Sequence, residues 1–317
     1  MADTPIRIEG LLAKIEGTYR TDPTPDGTND AMILSEAFFS SMTIENRAPN
    51  LRENVRNGTL MPVAPGVPRG RTVAGTLNLE LRGAGAAYAA GTRPEADPLI
   101  RASGFSSTVD ATPGSETVTY AQINSGFEGV TIWAYGAGNV YKINGCRCNM
   151  VWPIVAGELG ILRFEFIGFL DTAPATAALP AQTFATAVPQ SAVGMSFTVG
   201  AWSPDIITGE FNSGTNLVVK PSGNHSDGFS EVQISQFDPR ITFSAPTLAL
   251  ATFDPYADRL AATTRAIDWT VGGSQYNRAD LAVASAYQVA EPGHEAPDDF
   301  TGWGLDYRPL DMSVVYD

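Results

Sequence analysis

Hydrophobic and polar positions alternate with a period of two along much of this chain. From Thr76 to Arg82, Leu77, Leu79 and Leu81 fall on one side and Thr76, Asn78, Glu80 and Arg82 on the other. That spacing predicts a strand with one buried face. The same alternation runs from Gly160 to Phe169, where Leu162, Phe164 and Phe166 oppose Ile161, Arg163, Glu165 and Ile167. Because the second set mixes apolar and charged residues, it predicts a sheet whose outer face is partly covered. Strands are also expected over Glu128 to Tyr135 and Val140 to Trp152, joined by a turn at Gly136-Ala137-Gly138-Asn139.

Helical signals are few. Asp97-Pro98-Leu99-Ile100-Arg101-Ala102-Ser103-Gly104 reads as a short helix, with Asp97 as N-cap, Pro98 at the first helical position and Gly104 closing it. Asp254-Pro255 opens a second, running to Ala262, and the two Asp-Pro pairs lie 157 positions apart, almost half the chain. After each comes a strand, a glycine turn and a strand: Ile132 to Tyr141 in one half, Asp268 to Tyr276 in the other, each with a tryptophan in its first strand. The halves close with strands at Gly160 to Phe169 and Gly304 to Leu310. An ordered series of this kind points to internal duplication, although the interval between Trp133 and Trp269 falls short of 157. Asp171 to Ala192, with Pro174, Pro180 and Pro189 among Ala and Thr, reads as the connector. The expectation is therefore a mainly β chain of two tandem β-sandwich domains, residues 1–180 and 181–317, each with a short flanking α-helix.

Composition fits that reading. At 317 residues with 31 Gly and 22 Pro, the chain exceeds one ordinary core and is rich in turns. Its apolar runs fall short of the ~20 residues that cross a bilayer, and Met1 to Arg7 lacks the form of an export leader, so a soluble, unsecreted protein is expected. Cys146 and Cys148 are the only cysteines, which excludes a disulfide framework and fits reduced thiols. The net charge is −14, and from Asp171 onward six basic residues face seventeen acidic ones. Such a surface repels phosphate.

Candidate chemistry is thin, and no catalytic, cofactor or metal residue is expected. His225 and His294 are the only imidazoles and sit in turn-rich loops. His225 with Ser226 and Asp227 lacks the strained Gly-x-Ser-x-Gly turn of a nucleophile. Cys146 and Cys148, two apart on a strand, have too few His or Cys partners for zinc. Gly83-Ala84-Gly85 and Gly136-Ala137-Gly138 do not extend into a phosphate-binding loop, and Asp22 with Asp26, or Asp298 with Asp299, lack the spaced ligands of a calcium loop. Trp133, Trp202, Trp269 and Trp303 leave open a carbohydrate-binding β-sandwich, with core packing the commoner use of such residues.

One resemblance covers roughly the first 170 residues. The run from Leu12 through Lys14-Ile15-Glu16-Gly17-Thr18-Tyr19-Arg20-Thr21-Asp22-Pro23 to Leu34 resembles the N-terminal signature of tail tube proteins of long, non-contractile-tailed bacteriophages (siphoviruses). Leu79 to Gly83, Glu95 to Phe105, Gly126 to Trp133 and Gly157 to Gly168 continue it, and Phe253 to Tyr256 and Thr264 to Ile267 are similar to the C-terminal part of members with two tube domains. The resemblance implies tail-tube-like β-sandwiches that join into a β-barrel ring on assembly, and a structural virion protein rather than an enzyme. Three chains with two domains each would make a pseudo-hexameric ring, six copies a hexameric one, and stacked rings would form the conduit for genome delivery. Implied partners are further copies of the chain, a tape measure protein, a tail terminator and distal tail proteins, with phage DNA passing through the channel without specific binding and no membrane involved. The place of work is the virion tail, assembled in the host cytoplasm. On this reading Glu80 and Glu165 are candidates to face the channel, and Asp22 to Asp30 is expected to be a stacking arm, disordered or mobile before assembly. Another virion structural role, capsid or decoration, is the alternative.

Overall fold

The computed structural model describes residues 9–46, 70–170, 172–225, 227–295 and 301–317. Among them the chain is mainly β, with twenty strands and two short helices. In the first half β1 (Glu9–Ile15), β2 (Ala31–Met32), β3 (Thr43–Asn46) and β4 (Arg71–Glu80) precede helix α1 (Asp97–Ala102). Then come β5 (Phe105–Asp110), β6 (Thr117–Gln122), β7 (Val130–Gly136), β8 (Asn139–Val155), β9 (Ile161–Leu170) and β10 (Ala175–Thr176). The second half carries β11 (Ser196–Val199), β12 (Thr208–Asn212), β13 (Thr215–Pro221), β14 (Phe229–Phe237) and β15 (Arg240–Pro246) ahead of α2 (Pro255–Ala261). After it run β16 (Thr264–Val271), β17 (Ala279–Gln288), β18 (Gly293–Glu295), β19 (Gly302–Pro309) and β20 (Ser313–Tyr316).

The alternating segments behave as their patterns require. Leu77, Leu79 and Leu81 are buried, as are Leu162, Phe164 and Phe166, while Glu165 on the opposite side of β9 is exposed. The β7–β8 turn is a two-residue loop in which Ala137 and Gly138 both have positive φ, 51° and 77°. Such turns match the right-handed twist of the strands they join.

The order of pairings recurs between the halves. In the first, β1 pairs with β7, β7 with β8, β8 with β9, β9 with β4 and β4 with β3. In the second, β11 pairs with β16, β16 with β17, β17 with β19, β19 with β15 and β15 with β12. Each helix follows the strand that stands fifth in that order, β4 or β15. The β5–β6 hairpin has no counterpart after α2 and separates α1 from β7, which explains why the interval between Trp133 and Trp269 falls short of that between the Asp-Pro pairs.

The halves are not isolated from one another. Antiparallel pairs between β8 and β12, and between β6 and β20, carry the sheet from one to the other, and one hydrophobic cluster runs through both. The proline-rich connector is irregular but tied down. Gln190 N–H donates to Leu81 O at 2.8 Å and Gly160 N–H to Gln190 O at 2.8 Å, while Thr183 N–H donates to Gly27 O at 2.8 Å.

Three local expectations need correction. Asp97 is not the N-cap of α1: it lies inside the first turn, buried, and its carboxylate accepts from Arg93, Arg101 and the Tyr120 hydroxyl, so Ala96 takes the cap position with no side-chain bond. Asp254 does cap α2, accepting from Ala257 N–H at 3.0 Å. The strand after the second-half turn starts at Ala279, because Gly272 and Tyr276 hold positive φ and keep residues 272–278 in a loop. The Asp22 to Asp30 segment is not a free arm. Asp26 accepts the N–H groups of Thr28 and Asn29, Asp30 accepts from Lys14 and Asp26 N–H, and Asp22 pairs with Lys142 at 3.3 Å.

Candidate functional site

The feature that stands out is one continuous sheet face that crosses both halves. Neighbouring strands run β3, β4, β9, β8, β12, β15, β19 and β18, every pair antiparallel. Partners directly opposite share a side. On the inner side Leu77, Phe164, Met150, Phe211, Ile241 and Tyr307 enter the core. On the outer side the register aligns Thr76 with Glu165 and Asn149, Glu210 with Pro153, and Thr242 with Glu210 and Asp306.

That outer face is polar and carries charges of both signs. Arg163 reaches from β9 to Glu210 on β12 at 3.4 Å, with Glu165 at 3.8 Å. Arg240 pairs with Asp306 at 3.3 Å and with Asp238 at 3.2 Å, and Arg308 reaches Asp238 at 3.2 Å. Glu80 is paired with Arg82. Half-exposed pairs of this kind contribute little to stability, typically under about 1 kcal/mol each, so their effect is to set the character of the surface. Two shallow recesses of about 470 and 440 Å³ open on the same face, one along β12, β15 and β19, the other where β4 and β9 meet β13.

The hairpin β13–β14 lies over the first half instead of its own. Asn149 on β8 accepts from Thr215 N–H at 2.9 Å and from the Ser213 hydroxyl at 3.0 Å. Tyr19 OH donates to Gly145 O at 2.9 Å and accepts from Val232 N–H at 2.8 Å, and burial pushes that phenol up to about 12. Arg20 donates to Phe229 O at 2.7 Å, pairs with Asp227 and stands over the Phe169 ring. Gly145 makes this approach possible: its φ is +62°, and a Cβ there would sit 2.7 Å from the Arg20 side chain.

No protein-family model matches the chain, and no curated protein matches it. Its own geometry has to carry any functional reading.

Residues singled out from the sequence fall as follows. Glu80 and Glu165 both lie on the outer face just described. Cys146 and Cys148 are fully buried, and burial raises both thiols far above the usual range. His225 is exposed beside the β13–β14 turn, and His294, also exposed, meets the Tyr256 hydroxyl at 3.3 Å. Ser226, Asp298 and Asp299 lie outside the described residues. Gly83 N–H donates to the Asn277 carboxamide at 2.7 Å. Trp202, Trp269 and Trp303 are buried, and the half-buried Trp133 has Lys142 over its ring at 3.7 Å, which leaves none of the four as an open sugar platform. Among the described residues no group of three or more His, Cys, Asp or Glu side chains is arranged to hold a metal ion.

Sequence reasoning missed the seam between β8 and β12. Its only signal was the brief alternation Thr208-Gly209-Glu210-Phe211-Asn212, five residues long.

Proposed function

We propose that this chain is a structural subunit of a bacteriophage tail tube, built of two tail-tube-like modules, residues 1–180 and 181–317, and assembling with copies of itself. The observation that carries the reading is the seam inside the chain. β12 of the second module pairs with β8 of the first along Thr208 to Asn212, and β3 is the first-module strand that corresponds to β12.

Repeating that seam between chains sets β3 of one copy against the β17–β18 border of the next. Such a joint is head-to-tail and makes a closed ring if the rotation closes. Two modules per chain give six positions from three copies, a homotrimeric, pseudo-hexameric ring. Among the described residues β3 and β18 each have one strand partner, β4 and β19, so both ends of the face have an edge to offer. Exposed edges are a liability in a free chain, and closure into a barrel removes them.

The polar outer face would then line the channel. Its arginines are matched by carboxylates, so a passing duplex meets no continuous basic track and gains little from counterion release. The partners that follow are further rings in a stack, a tape measure protein, a tail terminator and distal tail proteins, in a virion tail put together in the host cytoplasm, with no catalysis and no cofactor.

Light-scattering mass measurement combined with negative-stain imaging of the purified chain tests this. Three-part rings or hollow tubes are expected. A monomer at every concentration, or closed shells, would overturn it.

A further inference from the structure

The two helices stand in corresponding places yet differ in cover. Ser103 and Leu260 each lie six residues after the Asp of their Asp-Pro pair. Ser103 is fully buried, whereas the Leu260 side chain is 91% exposed. What buries the end of α1 is the hairpin from the other module: Thr215 Oγ1 donates to Ser103 O at 3.0 Å, and the Phe237 ring lies where a Cβ on Gly104 would come within 2.6 Å. Phe237 also meets Phe127, centroids 6.0 Å apart. Around α2 the described chain supplies no such cover, and Leu248 and Leu250, in the loop leading to it, are exposed as well.

We propose that the apolar end of α2, centred on Leu260, is covered in the assembled state by a second copy of this chain, through the segment 47–69 that leads from its β3 to its β4. This rests on the ring reading above. By the order of pairings, the link from β12 to β15 in one module corresponds to the link from β3 to β4 in the other. Their lengths are close, residues 213–239 against 47–70. The first of these links crosses from its own module onto α1 of the module beside it, toward the β3 end of the sheet. The same displacement would carry the second past β3 and off the end of its own chain, where another copy would present its helix.

Charge agrees. Segment 47–69 holds Arg47, Arg52, Arg56 and Arg69 against Glu53 alone, while the chain from Asp171 onward carries six basic and seventeen acidic residues. Its apolar side chains, Leu60 and Met61 among them, fit an apolar helix end. The contact thus joins a basic, apolar strap to an acidic module, a pairing that favours association in one orientation.

The test uses the full chain with the photoreactive analogue p-benzoylphenylalanine in place of Leu260, mixed with an excess of isotope-labelled native chain. Masses are measured before irradiation, and the cross-linked peptides are then sequenced. A bond from position 260 to a labelled peptide within 47–69 is the expected result. Rings that form with no bond, or with a bond elsewhere or within the same chain, overturn this proposal and leave the ring standing; chains that stay monomeric overturn both. Leu260→Ser supplies a second measurement. Because the side chain is exposed in the single chain, its melting temperature should not move, whereas the concentration at half-assembly should rise about ten-fold or more. An unchanged assembly midpoint would count against the contact.

Discussion

Trp152 and Trp269 stack face to face, ring centroids 5.9 Å apart and planes within 8° of parallel, and each comes from a different half of the chain. Both are fully buried in the cluster that runs through the whole molecule. Trp269→Ala should therefore lower stability by about 3–5 kcal/mol, the usual cost of emptying such a site. Because the core is shared, urea unfolding of both halves should shift together in a single transition. Two separated transitions, with the first half unmoved, would show that the stack does not couple them.

The β13–β14 hairpin is held to the first half by several polar links, and one responds to acid. Burial pushes the Asp227 carboxyl up, but hydrogen bonds from Arg20 and from Phe229 N–H, with the Arg20 charge, outweigh it and leave the group below its ordinary 3.8. A depressed acid contributes stability above its unfolded value and loses it as pH falls through the folded one. Amide exchange in β14 should accordingly quicken below about pH 4. Arg20→Ala should quicken it already at neutral pH, by roughly ten-fold if about 1.4 kcal/mol of local stability is lost, and should remove most of the acid dependence. Exchange in β14 that ignores both changes would rule out this attachment.

Glu95 has the opposite sign. It accepts the Ile33 N–H, its second oxygen has no partner among the described residues, and burial raises its carboxyl above the ordinary 4.5 against the pull of Arg82. The folded chain then holds the proton more tightly than the unfolded one, so stability falls as pH rises from about 4.5 through the folded value. Glu95→Gln keeps an acceptor for Ile33 and removes the charge. Its melting temperature should exceed that of the native chain at pH 7.5 and approach it near pH 4.5; a constant difference across that range would mean that Glu95 does not titrate in this window.

Strands with a strict period of two were legible because one face had to be buried: Leu77 to Leu81 and Leu162 to Phe166 point inward as their spacing requires. The Asp-Pro pairs likewise marked both helices. What spacing could not convey was the use of individual polar atoms. Asp97 serves an ion-pair cluster in place of a cap, and Asp22, Asp26 and Asp30 fold their own loop instead of leaving it free. The outer sheet face was half legible. Glu80 and Glu165 could be placed on a polar side, but their neighbours Arg82 and Arg163, and Glu210 from the far side of the seam, depend on registers that link residues distant in sequence.

Those neighbours decide what the face does to a polyanion. At present Arg163 is shared between Glu165 and Glu210, so the three groups together carry an excess of one negative charge. Glu165→Lys with Glu210→Lys would replace this by three positive charges per chain, and under the proposed assembly they would recur at every ring. Each phosphate neutralised should steepen the fall of log affinity with log salt by roughly 0.9 for duplex DNA. Fluorescence anisotropy with a short labelled duplex should find no measurable binding by native assemblies at physiological salt, and clear, salt-sensitive binding by the double variant. Because both pairs are half-exposed, their loss should cost the fold only about 1 kcal/mol each, and the variant's assembly is checked before DNA is added. Should the variant assemble normally yet bind no more DNA than the native chain, the proposal that this face lines a channel would fail.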